Sequence, residues 1–308
     1  MQELILFYTT GDFIMKKVGQ FFFALIPSLL VLGMQFVASF FTIGVSMLVE
    51  GTWYSITDAG NIFEILDDLS YFWMTDQFNT YIMVIYAITT ITVFGLWYYM
   101  KYDGNYLPKI RTTFHPMSII GVVMLMPGMQ YLSTYIVALT ATLFPSALEV
   151  YEDLLDSAGF DTTVTFGLFL YSVILAPLSE ELIFRGVTLR QLKKCLPFWV
   201  ANIVQGVLFG IFHMNLIQGV YACCLGLILG YICEKGGSIY YSIMLHMLFN
   251  FWGTVLSEYF TTGDSDFAIL FWFLFAIVMT VAGLLVFSGG IRRLRSTADT
   301  TVSTEQSA

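Results

Sequence analysis

Long runs without a charged residue recur along this chain of 308 residues. They cover residues 18–49, 77–100, 112–148, 162–179, 195–233, 236–257 and 267–289. An apolar helix needs about 20 residues to cross the hydrocarbon core of a bilayer. The run 195–233 is long enough for two such helices, with a turn near Met214–Gln218. The runs therefore predict an all-α, polytopic membrane protein with about eight transmembrane helices.

The composition excludes a soluble enzyme built around a buried core. Charged residues make up 11% of the chain and hydrophobic residues 57%, whereas a soluble domain carries roughly a quarter charged residues. The partners expected from the sequence are the lipid bilayer and a protein or peptide substrate, which could itself be lipidated. No nucleic acid is expected as a partner.

The distribution of basic residues predicts the orientation of the chain. If the N-terminus is cytoplasmic, all 13 Lys and Arg residues fall on the cytoplasmic side, as the positive-inside rule requires. The loops 50–76, 149–161 and 258–266 then lie outside and contain acidic residues without a basic one. We expect a multi-pass protein of the cell membrane, with both termini cytoplasmic and a single transmembrane domain over residues 1–295. A disordered, polar cytoplasmic tail is expected over residues 296–308.

Few ionisable residues lie inside the predicted spans. They are Glu180, Glu181, His213 and His246, with Arg185 near a boundary. An ionisable side chain is costly in lipid, so it usually faces the protein interior and marks a function. The alternative interpretation is a set of structural hydrogen bonds between helices.

The spacing around the two glutamates separates their roles. Glu181 and Arg185 are four residues apart, so they can pair on one face of a helix. Glu180 lies about 100° around the helix from Glu181 and points elsewhere. Pro177, one turn earlier, removes a backbone donor and can kink the helix. The simplest hypothesis is that Glu181 and Arg185 form a structural pair and that Glu180 does the chemistry.

The two intramembrane histidines can reach the same region. Lys193–Pro197 is the turn signal between two spans, and Glu180 and His213 lie equally far from it. Residues equidistant from the turn of a helical hairpin share the same depth, so these two side chains are expected to meet. His246 and Asn250 lie one turn apart on one face of a later span.

These residues form three motifs that together resemble a known family. Glu180–Arg185 reads "EELIFR" (EExxxR), Phe209–His213 reads "FGIFH" (FxxxH) and His246–Asn250 reads "HMLFN" (HxxxN). The chain resembles the CAAX-protease and bacteriocin-processing (CPBP, or Abi) intramembrane endopeptidases, which are related to the type II CAAX prenyl endopeptidases. The resemblance covers roughly residues 165–255, and it implies a catalytic core over about 162–258.

The resemblance implies hydrolysis of peptide bonds in membrane-associated or prenylated-type substrates. In the mechanism that it implies, Glu180, backed by His213, activates a water. His246 and the Asn250 amide stabilise the oxyanion, and no cofactor is required. The residues expected to support the site are Glu181, Arg185 and Phe209.

A zinc-dependent metalloprotease is the alternative within the same family. Glu180, His213 and His246 could hold zinc with an open position for water. The HExxH spacing is absent and Asn250 is a poor zinc ligand, so the metal-free mechanism is the first choice.

Two further alternatives leave proteolysis out. Intramembrane Glu and His also serve proton- or ion-coupled transporters, and a binding protein without catalysis could carry them too. A transporter is expected to show matching half-repeats with broken helices, and the sequence shows no matching half. A pseudoenzyme would be expected to have lost one of Glu180, His213, His246 and Asn250, and all four are present.

Overall fold

The computed structural model describes most of the chain. It covers residues 2–57, 61–102, 113–157, 164–257, 259–260, 263 and 265–305. For residues 2–14 and 298–305 it describes the backbone alone. Helices account for nearly all of these residues, and no strand occurs among them, as the apolar runs predict.

Ten helices follow one another within the described ranges. They are α1 (Gln2–Thr57), α2 (Ile62–Trp73), α3 (Asp76–Tyr102), α4 (Pro116–Leu143), α5 (Pro145–Ser157), α6 (Phe166–Leu192), α7 (Phe198–Phe212), α8 (Leu216–Gly236), α9 (Ile239–Leu256) and α10 (Asp266–Glu305).

Seven of these helices are long and apolar enough to cross a bilayer, which supports the prediction of an all-α, multi-pass membrane protein. The eighth predicted span is shorter than expected. Helix α7 has 15 residues, so it extends about 22 Å at 1.5 Å per residue. The hydrocarbon core is about 30 Å thick. The described chain therefore has seven helices of membrane-spanning length and a short apolar one, α7, instead of eight long ones.

Helices α7 and α8 form a tight hairpin. The turn is His213–Asn215, and the Asn215 side chain caps α8 by accepting a hydrogen bond from the Gln218 N–H at 3.1 Å. Near the turn, a Cβ on Gly210 would collide with the carbonyl oxygen of Gly219 on the facing helix. Glycine thus permits the close approach of the two backbones. The turn lies close to the position that the length of the run 195–233 predicts, near Met214–Gln218.

The third histidine has a structural position. His115 is the N-cap of α4, where its Nδ1 accepts a hydrogen bond from the Met117 N–H at 3.2 Å. This bond satisfies one of the backbone donors that a helix start leaves open.

Two apolar cores flank α6 and α9. One core joins α1, α3, α6 and α7 around Phe94, Phe184 and Phe209. The other joins α4, α8, α9 and α10 around Leu125 and Phe287. In the most apolar 18-residue stretch of each helix, half of the α6 residues are buried, against 17% of the α10 residues. Polar groups on α6 are therefore held away from lipid.

The disordered tail expected over residues 296–308 stays a prediction. The described backbone of helix α10 extends to Glu305. Once a helix is nucleated, each added residue gains one backbone hydrogen bond, so a long apolar helix can extend into a polar sequence at little cost.

Candidate active site

The glutamates lie on a short α-helical turn between two π-helical segments of α6. Leu170–Leu175 and Leu182–Thr188 are π-helical, and Ala176–Glu181 between them is α-helical. Stretches of π-helix inside α-helices are frequent at functional sites. The sequence predicted a kink near Pro177, but it did not predict the π-helical segments.

Pro177 leaves one backbone carbonyl of α6 without its helical partner. The Ala176 N–H donates to the carbonyl of Tyr171, five residues back. In the same register, residue 177 would bond to the carbonyl of Ser172, but proline has no N–H. Asn250 Nδ2 on α9 donates to that Ser172 carbonyl oxygen at 2.8 Å. One donor of the Asn250 amide therefore ties α9 to α6.

Glu181 and Arg185 form the ion pair that their spacing predicts. Arg185 Nη1 donates to Glu181 Oε1 at 2.7 Å, and both side chains are 0% exposed. Arg185 Nη2 donates to the carbonyl oxygen of Gly226 on α8 at 3.0 Å. The pair therefore also joins α6 to α8.

His246 lies between the two glutamates. Its Nδ1 is 2.9 Å from Glu181 Oε1, and its Nε2 is 3.6 Å from Glu180 Oε2. Because the Glu181 carboxylate is paired with Arg185 and can only accept, His246 donates through Nδ1–H. The 3.6 Å separation is too long for a hydrogen bond. The Nε2 atom therefore faces Glu180 across a short gap.

His213 is oriented by its own helix. Its Nδ1 lies 2.8 Å from the carbonyl oxygen of Phe209. A carbonyl can only accept, so Nδ1 carries a proton and Nε2 is the ring nitrogen left for the site. Glu180 is close enough for its charge to act on the His213 imidazole. Within the described residues, however, the ion contact of Glu180 is with His246 and not with His213.

Phe209 holds the two histidines and the arginine together. Its ring centroid is 4.9 Å from that of His213 and 5.7 Å from that of His246, with both pairs close to perpendicular. The guanidinium carbon of Arg185 lies 4.6 Å from the centroid of the same Phe209 ring, which is buried. A cation over an aromatic face is attracted by the ring quadrupole. The structure thus brings all seven sequence-predicted residues into one region.

Sequence reasoning missed three tyrosines near Glu180. The Glu180 carboxylate acts electrostatically on the hydroxyl groups of Tyr86 on α3, Tyr171 on α6 and Tyr221 on α8. The chain has 18 tyrosines, and no spacing or motif distinguishes these three. Only the packing of α3 and α8 against α6 identifies them.

The alternative zinc site would use Glu180, His213 and His246 as ligands. In the part of the chain that the structure describes, no group of three or more His, Cys, Asp or Glu side chains is arranged to hold a metal ion.

The comparison with known families matches this region. Residues 162–252 match the family model described as type II CAAX prenyl endopeptidase Rce1-like. Over this segment the chain is similar to the Rce1-like family. The segment carries all three motifs and spans α6 to α9, so the family supports a membrane-embedded CAAX-type protease, a peptide hydrolase, in general. Neither a curated protein nor a solved structure matches the chain.

Proposed function

We propose that this chain is an Rce1-like intramembrane endopeptidase of the cell membrane in which Glu180 is the base that activates water. The observation that carries the proposal is the position of His246, held by Glu181 on one nitrogen and facing Glu180 with the other. Glu180 is 12% exposed and has no cationic Lys or Arg partner in the described residues. Its carboxylate is thus the one available to take a proton from water.

His213 assists Glu180 in the proposed reaction. Its Nδ1 is tied to the Phe209 carbonyl, which leaves Nε2 as an acceptor for the same water. A water that donates to both Glu180 and His213 is oriented as well as activated. The hydroxide that forms attacks the carbonyl carbon of the substrate, and the proton held by the Glu180–His213 pair passes to the leaving amine.

His246 and Asn250 supply the oxyanion donors in this proposal. His246 is held by its Nδ1–H bond to the Glu181 carboxylate, and in its doubly protonated form its Nε2–H donates to the developing oxyanion. Asn250 uses one N–H for Ser172, and its amide has a second N–H for the substrate. Preorganised donors need no rearrangement when the charge develops.

A lipidated substrate is supported by an apolar cavity beside His213. The cavity, of about 570 Å³, lies between α7 and α8 and is lined by Ile211, Met214, Leu216 and Val220 among others. It directly adjoins the turn that carries His213. A prenyl or acyl chain of the substrate fits such a surface by van der Waals packing against its apolar side chains.

The test uses the purified full-length chain in proteoliposomes and a CAAX-type reporter peptide, with and without a prenyl group. Glu180→Gln is expected to abolish cleavage while the protein remains folded, because the amide keeps the size of the side chain and loses its basicity. Glu149→Gln, an exposed glutamate on α5, is the matched control and is expected to cleave normally. Cleavage by Glu180→Gln at the wild-type rate would refute the role of Glu180. Equal cleavage of the two peptides would refute the lipidated substrate.

A further inference from the structure

A second, polar cavity lies away from the catalytic groups, where α3, α6 and α8 end together. Its volume is about 400 Å³. We call it the end cavity. Its polar lining comes from Tyr102, Arg185, Arg190, Lys193, Lys194 and Glu234.

The end cavity is strongly cationic. Four of its side chains are basic and one is acidic. Lys193 Nζ lies 2.6 Å from Glu234 Oε1, so that carboxylate is already paired. The Lys194 ammonium lies 5.1 Å from the centroid of the Tyr102 ring, and no described carboxylate lies within 4.0 Å of it. The cavity therefore offers positive charge to a ligand.

Arg185, which lines the end cavity, has a buried donor without an acceptor. Arg185 is 0% exposed, and its Nη1 and Nη2 donate to Glu181 and to the Gly226 carbonyl. Its Nε has no hydrogen-bond partner in the described part of the chain. A buried N–H without an acceptor is costly, so the absence of a protein partner favours an acceptor from a ligand or a water.

The chemistry of the lining fits a phosphate group. The donors of the lining include the Arg185 guanidinium on α6 and the Lys194 ammonium just after the end of α6. A phosphate accepts several charge-assisted hydrogen bonds at once through its oxygens. The ends of membrane-spanning helices lie at the level of lipid headgroups, and basic pockets between such helices are suited to anionic headgroups.

We propose that the end cavity binds a phosphate group, presented by the headgroup of an anionic phospholipid. This binding does not depend on the proteolytic function proposed above. Arg185 belongs both to the cavity wall and to the ion pair with Glu181, which holds His246. An occupied end cavity would therefore stabilise the side chain that sets the position of the active-site imidazole.

The experiment titrates the purified full-length chain in detergent with phosphatidylglycerol and measures bound lipid by native mass spectrometry. Diacylglycerol with the same acyl chains is the phosphate-free control. Phosphatidylglycerol is expected to bind at least tenfold more tightly than diacylglycerol. Lys194→Gln removes one charge-assisted hydrogen bond and is expected to weaken phosphatidylglycerol binding about tenfold.

Arg292→Gln is the matched control variant. Arg292 is an exposed basic residue on α10 that does not line the end cavity, so its loss is expected to leave phosphatidylglycerol binding within about twofold. Both substituted residues are exposed, and equal melting temperatures of the two variants verify that they are folded.

A competition arm distinguishes the source of the phosphate. Inorganic phosphate that displaces phosphatidylglycerol from the wild type, and less so from Lys194→Gln, supports a site for phosphate from either source. Binding of phosphatidylglycerol that inorganic phosphate does not displace supports a site for the lipid alone. Equal binding of diacylglycerol, or equal weakening by Arg292→Gln and Lys194→Gln, would overturn the proposal.

Discussion

The two adjacent glutamates differ because their partners differ. Glu181 shares a 0% exposed ion pair with Arg185, which keeps its carboxylate charged and engaged. Glu180 faces His246 Nε2 at 3.6 Å and stays open enough to accept a water. Adjacent positions on a helix point about 100° apart. One residue can therefore hold the site together while its neighbour reacts.

Loss of the Glu181 charge should destabilise the protein far more than loss of the Glu180 charge. Glu181→Gln leaves Arg185 as a buried cation without a counter-ion, and breaking a buried pair in this way costs about 3–5 kcal/mol. Glu180→Gln breaks no such pair and is expected to change the free energy of unfolding by much less. Denaturant-induced unfolding in detergent micelles measures both. Equal destabilisation by the two variants would contradict the division of roles.

The contact between Glu181 and Arg185 could be predicted from the sequence, whereas the contact between His246 and Glu181 could not. Glu181 and Arg185 are four residues apart, and helical periodicity alone brings them together. The bond from His246 to Glu181 joins residues 65 positions apart on different helices. Periodicity within one helix says nothing about the rotation of another helix. For the same reason the sequence placed Glu180 against His213, whereas its ion contact in the described residues is with His246.

Asn250→Ala should reduce both turnover and stability. Removing one oxyanion donor typically lowers kcat by on the order of 10²–10³, with little change in KM. The same variant leaves the Ser172 carbonyl without its donor, at a cost of about 1–3 kcal/mol. Steady-state kinetics and unfolding on the same preparation measure the two effects. Unchanged kcat together with lowered stability would restrict Asn250 to its contact with α6.

The metal-free mechanism makes a separate prediction about zinc. Chain treated with a chelator is expected to keep its activity, and added zinc is expected not to increase it. If zinc were catalytic, His213→Ala and His246→Ala would each lose bound metal together with activity, whereas Asn250→Ala would keep it. Elemental mass spectrometry of the same samples gives the metal content. One zinc per active chain, lost as activity is lost, would establish the metalloprotease.

At the scale of helices, Pro177 shapes the segment of α6 that carries the proposed catalytic glutamate. Pro177→Ala restores an N–H that can bond to the Ser172 carbonyl and so competes with Asn250. A proline inside a helix costs about 3 kcal/mol relative to alanine. The variant is therefore expected to be as stable as wild type or more so, and to lose activity about tenfold or more as Asn250 and the adjoining helical turn shift.

Pro127→Ala supplies the control for this prediction. Pro127 lies inside α4, and its replacement also restores a backbone donor within a membrane-spanning helix. It is expected to leave activity close to that of wild type. Full activity of Pro177→Ala, measured with the reporter peptide, would show that the missing N–H has no part in the geometry of the site.

Apolar patterning predicts where the helices lie better than it predicts their internal geometry. The turn at Lys193–Pro197 could be predicted because charged and turn-forming residues separate two runs there. The turn near Met214 could be predicted because the run 195–233 is long enough for two helices. The π-helical segments of α6 could not, since a bonding pattern shifted by one residue over six or seven positions leaves the apolar spacing almost unchanged. The short length of α7 could not be predicted either, because the uncharged run that contains α7 continues into α8.

At the scale of the whole molecule, the charges and the contacts between helix ends agree about topology. Lys193, just after α6, pairs with Glu234 near the end of α8. Arg295 on α10 donates to the carbonyl oxygen of Lys235 at 3.0 Å. These contacts place the ends of α6, α8 and the basic part of α10 on the same side. Helices α7 and α8 therefore enter and return as a hairpin, and the short length of α7 does not alter which side the later helices face.

We therefore expect reporter fusions after Lys194 and after Arg295 to lie on the same, cytoplasmic side, and a fusion at Glu152 to lie outside. The physical reason is that basic residues close to a span resist translocation, and all 13 fall on one side in this arrangement. Alkaline phosphatase is active only outside and green fluorescent protein is fluorescent only inside, so paired fusions at each site give opposite signals. If α7 crossed the membrane without α8 returning beside it, the fusion after Arg295 would report the outside and the one after Lys194 the inside. That result would contradict both the charge distribution and the Lys193–Glu234 contact. Inside signals after Lys194 and after Arg295, together with an outside signal at Glu152, would establish both the hairpin and the orientation.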